Sequence, residues 1–217
     1  SAARRHKKAD ETIRELVASN EDNPQARLAS FLYRKRYNLS QVDEELRAAL
    51  RCGADDMDVR MAAAAHLQDR ARELSPQFVT DQRADDAAAG KIEQQRRSLI
   101  EESRSHLRYI LDNLDSDKEA AYIALGETYV AEGDPTEAIN VWQSGIESIG
   151  SAAIGLRLRI ADAYVRRDDK RAAAMLGELG RAIDQLSPFE ARLTKQKLNR
   201  SKDPIDAASS LKQKRSA

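Results

Sequence analysis

The chain contains few of the residues that usually reveal a chemical activity or a membrane anchor. Its 217 residues include one cysteine, three histidines and only 5% aromatic residues. The single Cys52 excludes an internal disulfide. No apolar run approaches the roughly 18 residues that a membrane-spanning helix needs. We therefore expect neither a disulfide framework nor a transmembrane helix.

A strong charge of one sign is also missing. Lys and Arg together number 36, as do Asp and Glu, so no net field attracts nucleic acid or an acidic membrane. Basic pairs such as Arg96-Arg97 and Arg166-Arg167 are interleaved with acidic residues, a pattern typical of solvated helix surfaces. An RNA-contacting stripe would need such clusters aligned on one face, with aromatic residues for single strands. It is the rival class that the sequence leaves open.

The five prolines predict an all-helical chain. Each follows Asn, Ser or Asp, and a capping residue before Pro at the first helical position is a helix-start signal. Alternating β-branched residues, which would indicate strands, are absent. The five pairs are Asn23-Pro24, Ser75-Pro76, Asp134-Pro135, Ser187-Pro188 and Asp203-Pro204.

No group of residues converges on a catalytic or metal-binding pattern. Cys52 lacks a nearby histidine, and the glycines of Gly177-Glu-Leu-Gly180 fall inside a predicted helix. The acidic run 55–58 lacks the later Gly and Glu of a calcium loop, so we interpret it as helix-capping carboxylates. We expect no enzyme active site, no metal and no cofactor. The three histidines are scattered at His6, His66 and His106.

One segment carries a recognisable repeat pattern. It reads Tyr122-Ile-Ala-Leu125-Gly126-Glu-Thr-Tyr129 and is followed by Ala138-Ile-Asn-Val-Trp142. This resembles the tetratricopeptide (TPR) pattern W-x2-L-G-x2-Y…A-x3-F, with Tyr in place of the first Trp and Trp in place of the Phe. The resemblance implies a right-handed superhelix, an α-solenoid, of antiparallel helical hairpins. It also implies a non-catalytic protein-interaction scaffold whose concave groove binds a peptide or a partner helix.

Propagating the pattern divides the chain into repeats. A shift of one repeat from Gly126 and Tyr129 reaches Ala161 and Tyr164, again a small residue and a tyrosine. The resemblance departs from the pattern at Gly150, where Pro is expected, and at Gly177, which replaces a large aromatic residue. The predicted spans are 1–22 (the second helix of a preceding repeat, or a cap), 23–56, 57–118 with an insertion around 68–98, 119–153, 154–188, and 189–217 (a degenerate repeat or capping helices).

The two ends predict a piece of a longer protein. The first residue is Ser1 rather than Met, and the pattern begins and stops part-way through repeats, as in a window cut from a longer array. The sequence leaves open the compartment, cytoplasmic or periplasmic, and the oligomeric state. It also leaves open whether the insertion around 68–98 has a function.

In similar proteins the first helix of each hairpin lines the groove. The resemblance does not extend to a Lys/Asn clamp for acidic peptide tails, because the matching positions carry mainly acidic and apolar residues. Two alternatives stay open beside a protein-binding scaffold: an RNA-binding helical repeat, and a regulatory or spacer segment of a larger enzyme. The groove residues that the resemblance implies are Arg27, Phe31, Arg34, Met61, Ala65, Ile123, Glu127, Leu158, Asp162 and Arg166.

Overall fold

The computed structural model describes residues 2–75, 86–115, 118–150, 153–167 and 170–184, with only the backbone described at 2–7 and 86–87. Within these ranges the regular elements are all α-helices, and no strand occurs. The predicted all-α class is therefore confirmed. The helices are α1 (Ala2–Ala18), α2 (Pro24–Arg36), α3 (Val42–Cys52), α4 (Met57–Glu73), α5 (Asp86–Asn113), α6 (Glu119–Ala131), α7 (Pro135–Ile149), α8 (Ile154–Arg166) and α9 (Arg171–Asp184).

Helix starts follow the capping signals in the sequence. The side chain of Asn23 accepts from the backbone N–H groups of the first turn of α2, and Asp134 does the same for α7. Pro24 and Pro135 occupy the first helical position, where the missing N–H has no partner to lose. These two predicted starts are confirmed. The other three prolines lie outside the described residues.

The chain divides into two compact units, Ser1–Ser116 and Asp117–Ala217. The first contains α1 to α5 and the second contains α6 to α9. The division falls close to the predicted boundary between 57–118 and 119–153. Each of the predicted spans 23–56, 57–118, 119–153 and 154–188 contains two of the helices.

In the first unit, consecutive helices form two packed pairs. α2 packs on α3 and α4 packs on α5, while α4 also contacts both α2 and α3. Small residues let the helices approach closely, since Ala49, Ala63 and Ala64 are at most 1% exposed. The hydroxyl of Ser103 on α5 donates to the carbonyl of Ala64 at 3.1 Å, which satisfies a buried polar group at the crossing.

The second unit repeats this arrangement. α6 packs on α7, α8 packs on α9, and α8 contacts both α6 and α7. A Cβ atom added at Gly126 would lie 2.0 Å from Nε1 of Trp142, so α6 and α7 cross too closely for any other residue there. The Trp142 indole fills this space and donates to the carbonyl of Ile123 at 3.3 Å.

The two departures from the repeat pattern have different local settings. Gly150 ends α7 with φ at +80°, which proline cannot adopt. Gly177 lies inside α9, as predicted, and a Cβ atom added there would have only an Arg181 side-chain nitrogen near it, at 3.9 Å. The second helix of the last pair therefore lacks the aromatic contact that the repeat pattern would supply.

The predicted insertion around 68–98 is helical over much of its length. α4 continues to Glu73 and α5 begins at Asp86, well before Leu99. Residues 76–85 lie outside the described part of the chain. Of the helices described, none combines the length and the hydropathy that crossing a membrane requires.

Candidate functional site

The first helices of the two pairs in the first unit lie side by side and run in the same direction. Near their starts, Gln25 on α2 donates to Asp56, the N-cap of α4, at 2.8 Å. Near their ends, Lys35 on α2 pairs with Asp69 on α4 at 2.7 Å. Because start joins start and end joins end, α2 and α4 form one parallel two-helix surface.

The second unit has an equivalent parallel surface. Glu119, at the start of α6, accepts a hydrogen bond from the backbone N–H of Gly155 in the first turn of α8 at 2.7 Å. This places a carboxylate at the positive end of the α8 dipole. Further along the helices, Arg159 pairs with Glu127 at 2.9 Å. We call α2 with α4, and α6 with α8, the first-helix faces.

Two hydrogen-bonded links between consecutive helices have the same spacing along the chain. The hydroxyl of Tyr33 donates to Asp10 at 2.5 Å, and His66 is 2.7 Å from Asp43. Both links join residues that are 23 positions apart and lie on consecutive helices. The first joins α1 to α2, and the second joins α3 to α4. The two links therefore place α1 against α2 in the way that α3 lies against α4. The second link follows the first by about one repeat of roughly 34 residues.

The pKa values of Tyr33, Asp43 and Asp69 are shifted by their hydrogen-bond partners. The hydrogen bond to Asp10 raises the pKa of Tyr33 to about 12, with burial adding to the effect. The hydrogen bond from His66 lowers the pKa of Asp43, and the nearby Arg70 acts in the same direction. Burial acts to raise the pKa of Asp69, but the Lys35 and Arg72 donors outweigh it and the pKa is lowered. Asp43 and Asp69 therefore stay ionised at neutral pH, and their links to α4 and α2 persist there.

Three predicted groove residues on α2 do not share one environment. Phe31 is 1% exposed and packs in the core, where its ring meets the His66 ring edge-on at 5.4 Å. Its aromatic face is therefore not presented to solvent. Arg27 and Arg34 instead lie 3.7 Å from the two carboxylate oxygens of Glu45 on α3. They line a cleft between α1, α2 and α3, away from the α2–α4 contact.

The other predicted residues lie on the first-helix faces. On α4, Met61 is half-buried and Ala65 is exposed. On α6 and α8, Ile123, Glu127, Leu158 and Asp162 are half-buried, and Arg166 is exposed. Glu127 is engaged by Arg159, and Asp162 pairs with Arg166 at 2.8 Å. Whether any of these residues contacts a partner stays a prediction.

Sequence reasoning missed Glu45, Lys35, Asp69 and Arg159. No motif marks them, because each one contacts a residue on a neighbouring helix. Such contacts do not follow from the spacing of residues along a single helix. The Asp43–His66 link was detectable in principle. Asp10 and Tyr33 stand one repeat before Asp43 and His66, so a comparison of charged and ring-bearing positions between repeats could have found it.

A cavity with a volume of about 660 Å³ lies beside the His66–Asp43 link. Most of its charged lining residues are paired with one another: Asp43 with His66 and Arg70, and Asp69 with Lys35 and Arg72. Within the described ranges, no group of three or more His, Cys, Asp or Glu side chains is arranged to hold a metal ion. The lining of this cavity therefore consists mainly of paired charges, with some apolar contacts.

Comparison of the chain with protein-family models, curated proteins and solved structures found no significant match.

Proposed function

We propose that the chain is a non-catalytic protein-interaction scaffold built from TPR-like repeats. The observation that carries the proposal is the pair of parallel first-helix faces, each cross-linked at two points along its helices. Such a face is held rigid before a partner arrives, so binding needs little ordering of the scaffold. In this proposal the hairpins are repeats of a right-handed α-solenoid, and a peptide or partner helix occupies its concave side.

Two local features support the repeat assignment. The close approach of Gly126 to Trp142 lies where the TPR pattern calls for a small residue and a large aromatic residue. The paired links Asp10–Tyr33 and Asp43–His66 recur after one repeat. Both features follow from stacked helical hairpins, in which each pair contacts the next in the same way.

The charge pattern of the faces supports a protein partner of mixed character. Each face carries an ion pair between its two helices, Lys35 with Asp69 in the first unit and Arg159 with Glu127 in the second. Ala65 and the half-buried Ile123 and Leu158 add apolar side chains on the same helices. A face of this kind suits a segment with both apolar anchors and charges. The RNA-binding alternative would instead need an aligned basic stripe, and its binding would be steeply dependent on salt.

Affinity capture from native lysate with the 217-residue chain as bait tests this proposal. A face variant carries Ala65→Arg and Glu127→Arg. A matched control carries Gln143→Arg and Glu44→Arg, which make the same charge change at exposed positions of α7 and α3. We expect at least one protein to bind the parent chain and the control but to be lost from the face variant, as read by mass spectrometry.

Other outcomes would contradict the proposal. Capture of nucleic acid that disappears at moderate salt would favour the RNA-binding alternative. A partner retained equally by all three baits would place binding away from the first-helix faces. No protein on any bait would favour a spacer or regulatory segment of a larger enzyme.

A further inference from the structure

A cluster of charged and ring-bearing side chains joins the start of α4 to the end of α5. Nη1 of Arg60 on α4 lies 3.3 Å from Nδ1 of His106 on α5. The guanidinium carbon of Arg60 also lies 3.3 Å from the centroid of the Tyr109 ring, a cation–π contact. His106 and Tyr109 are three residues apart, so they lie on one side of α5. Arg60 therefore contacts two successive ring-bearing residues of the neighbouring helix.

The turn that precedes α4 fixes Arg60 in this position. The Nε–H of Arg60 donates to the backbone carbonyl of Ala54 in that turn. The hydroxyl of Tyr109, whose ring contacts the guanidinium, donates to Asp55 in the same turn. The guanidinium therefore cannot move away from His106 without losing its bond to Ala54 and its contact with the Tyr109 ring.

The contact between Arg60 and His106 requires a neutral imidazole. An arginine side chain carries only donors and stays protonated in proteins, so Nδ1 of His106 must accept the hydrogen bond. The hydrogen of the neutral ring is then on Nε2. A protonated imidazole carries a hydrogen on both nitrogens. It would place one N–H group against another and one positive charge against another.

The surroundings of His106 also favour the neutral form. Burial lowers the pKa of the imidazole, and the charge of Arg60 on α4 acts in the same direction. Glu102, one turn earlier on α5, acts to raise this pKa but does not reverse the shift. The carboxylate of Asp55, in the turn before α4, accepts from Tyr109. His106 is therefore neutral at pH 7, and it gains its proton only as the pH falls below about 6.5, the ordinary pKa of histidine.

His66 provides a contrast within the same unit. Its Nε2 atom lies 2.7 Å from the carboxylate of Asp43, so this contact persists when the ring is protonated. The structure describes the side chains of His66 and His106, and of these two only His106 has a cation as its ring partner. Acidification therefore keeps the contact of His66 and opposes that of His106.

We propose that Arg60 and His106 form a pH-sensitive latch between α4 and α5: the neutral imidazole accepts from Arg60 and fastens the two helices together, and the protonated imidazole repels Arg60 and releases this contact. Release is confined to the start of α4 and the end of α5, because an apolar cluster that includes Leu67 and Ile100 holds the helices together further along. The latch is a property of the α4–α5 pair and does not depend on the proposed scaffold function.

Titration of the His106 ring in the full chain tests the latch directly. Nitrogen-15 NMR of the imidazole reports both the tautomer and the pKa, and the signals of His106 are those that disappear in His106→Asn. We expect the Nε2–H tautomer at pH 7 and a pKa below about 6.5. The Nδ1–H tautomer, or a pKa at or above the ordinary value, would overturn the proposal.

Arg60→Met separates the effect of the cation from that of burial. The variant removes the positive charge but keeps an apolar side chain against the Tyr109 ring. We expect the pKa of His106 to rise, because burial then acts without repulsion from Arg60. Arg51→Met is the matched control, since Arg51 is an exposed arginine in the last turn of α3. It should leave the pKa of His106 unchanged. An equal shift in the two variants, or no shift in Arg60→Met, would contradict the latch.

Hydrogen–deuterium exchange at about pH 7.5 and about pH 5.5, on either side of the ordinary histidine pKa, measures the release. Because the folded-state pKa of His106 is lowered, its stabilisation is complete above about pH 6.5 and is lost as the pH falls. After correction for the intrinsic effect of pH, we expect exchange at the start of α4 and the end of α5 to speed on acidification. Exchange in the middle of these helices should change less.

His106→Asn is the non-titrating comparison for the exchange experiment. Its side-chain oxygen can accept from Arg60 but gains no proton in this pH range, so acidification should speed exchange at these helix ends much less than in the parent. An equal increase in the parent and in His106→Asn would assign the effect to another group and overturn the latch. If His106→Asn does not fold, the tautomer in the parent and the pKa in Arg60→Met still decide.

Discussion

At the scale of single residues, Gly126 occupies a position where the packing of α6 against α7 leaves no room for a side chain. The added methyl group of Gly126→Ala would meet the Trp142 indole, so the variant is overpacked and its free energy of unfolding should fall by about 1–3 kcal/mol. Chemical denaturation followed by circular dichroism measures the change.

Gly180→Ala is the matched control for this prediction. Gly180 is an exposed position in α9, and nothing lies within 4 Å of a Cβ atom added there. Alanine should therefore raise the stability of that helix by up to about 1 kcal/mol. Equal effects of the two substitutions would contradict the close crossing of α6 and α7.

Asp43 and Asp69 should make stability depend on pH in the acid range. Their folded-state pKa values are lowered, through His66 for Asp43 and through Lys35 and Arg72 for Asp69. The stabilisation is complete above the unfolded-state pKa, about 3.9 for Asp. It is lost as the pH falls through the lower folded-state values. We expect the free energy of unfolding to decrease below about pH 4.

Asp43→Asn tests the contribution of one link. The variant should be less stable than the parent at neutral pH and should lose less stability on acidification, because this proton is no longer taken up on unfolding. Urea denaturation at several pH values measures both effects, with the exposed Asp112→Asn as the control. An unchanged acid dependence in Asp43→Asn would contradict the lowered pKa.

At the scale of elements, capping residues decide where helices begin and also connect neighbouring helices. Asp56 accepts from the backbone N–H of Val59 at 3.1 Å and from Gln25 at 2.8 Å. Asp56→Ala should therefore lower the free energy of unfolding by about 0.5–2 kcal/mol and speed amide hydrogen exchange at the start of α4.

Asp58→Ala is the control, since it removes a carboxylate from the same helical turn but not the cap. It should have a smaller effect on the Val59 amide. If the two substitutions speed exchange at Val59 equally, the cap does not hold the start of α4.

The sequence predicted two helix starts correctly because a helix start depends on residues that are close together along the chain. Asn23-Pro24 and Asp134-Pro135 specify helix starts through bonds within one turn. Arg27 and Arg34 show the limit of this reasoning. Their spacing places them on one side of α2, but whether that side meets solvent or Glu45 depends on how α1 and α3 pack against it.

Phe31 shows the same limit for apolar residues. The resemblance to TPR proteins implied that Phe31 lines one groove with Arg27 and Arg34. The structure instead directs its ring towards His66 and α4, because the parallel packing of α2 and α4 buries that side. The burial of a residue such as Phe31 depends on the angle at which two helices pack, and that angle could not be predicted from one sequence.

At the scale of the whole molecule, each of the two units has its own hydrophobic core and its own first-helix face. In the first unit the core includes Leu28, Phe31 and Val59, and in the second it includes Trp142, Leu156 and Ile160. Preformed faces with paired charges suit a partner that brings apolar anchors and opposite charges into register.

The most direct test of this account is hydrogen–deuterium exchange of the chain with and without the protein that it captures from lysate. We expect the partner to slow exchange in α2 and α4, or in α6 and α8, and to leave the second helices α3 and α7 unchanged. Slowing confined to α3 and α7, or no slowing in any first helix, would contradict the proposal that the first-helix faces bind the partner.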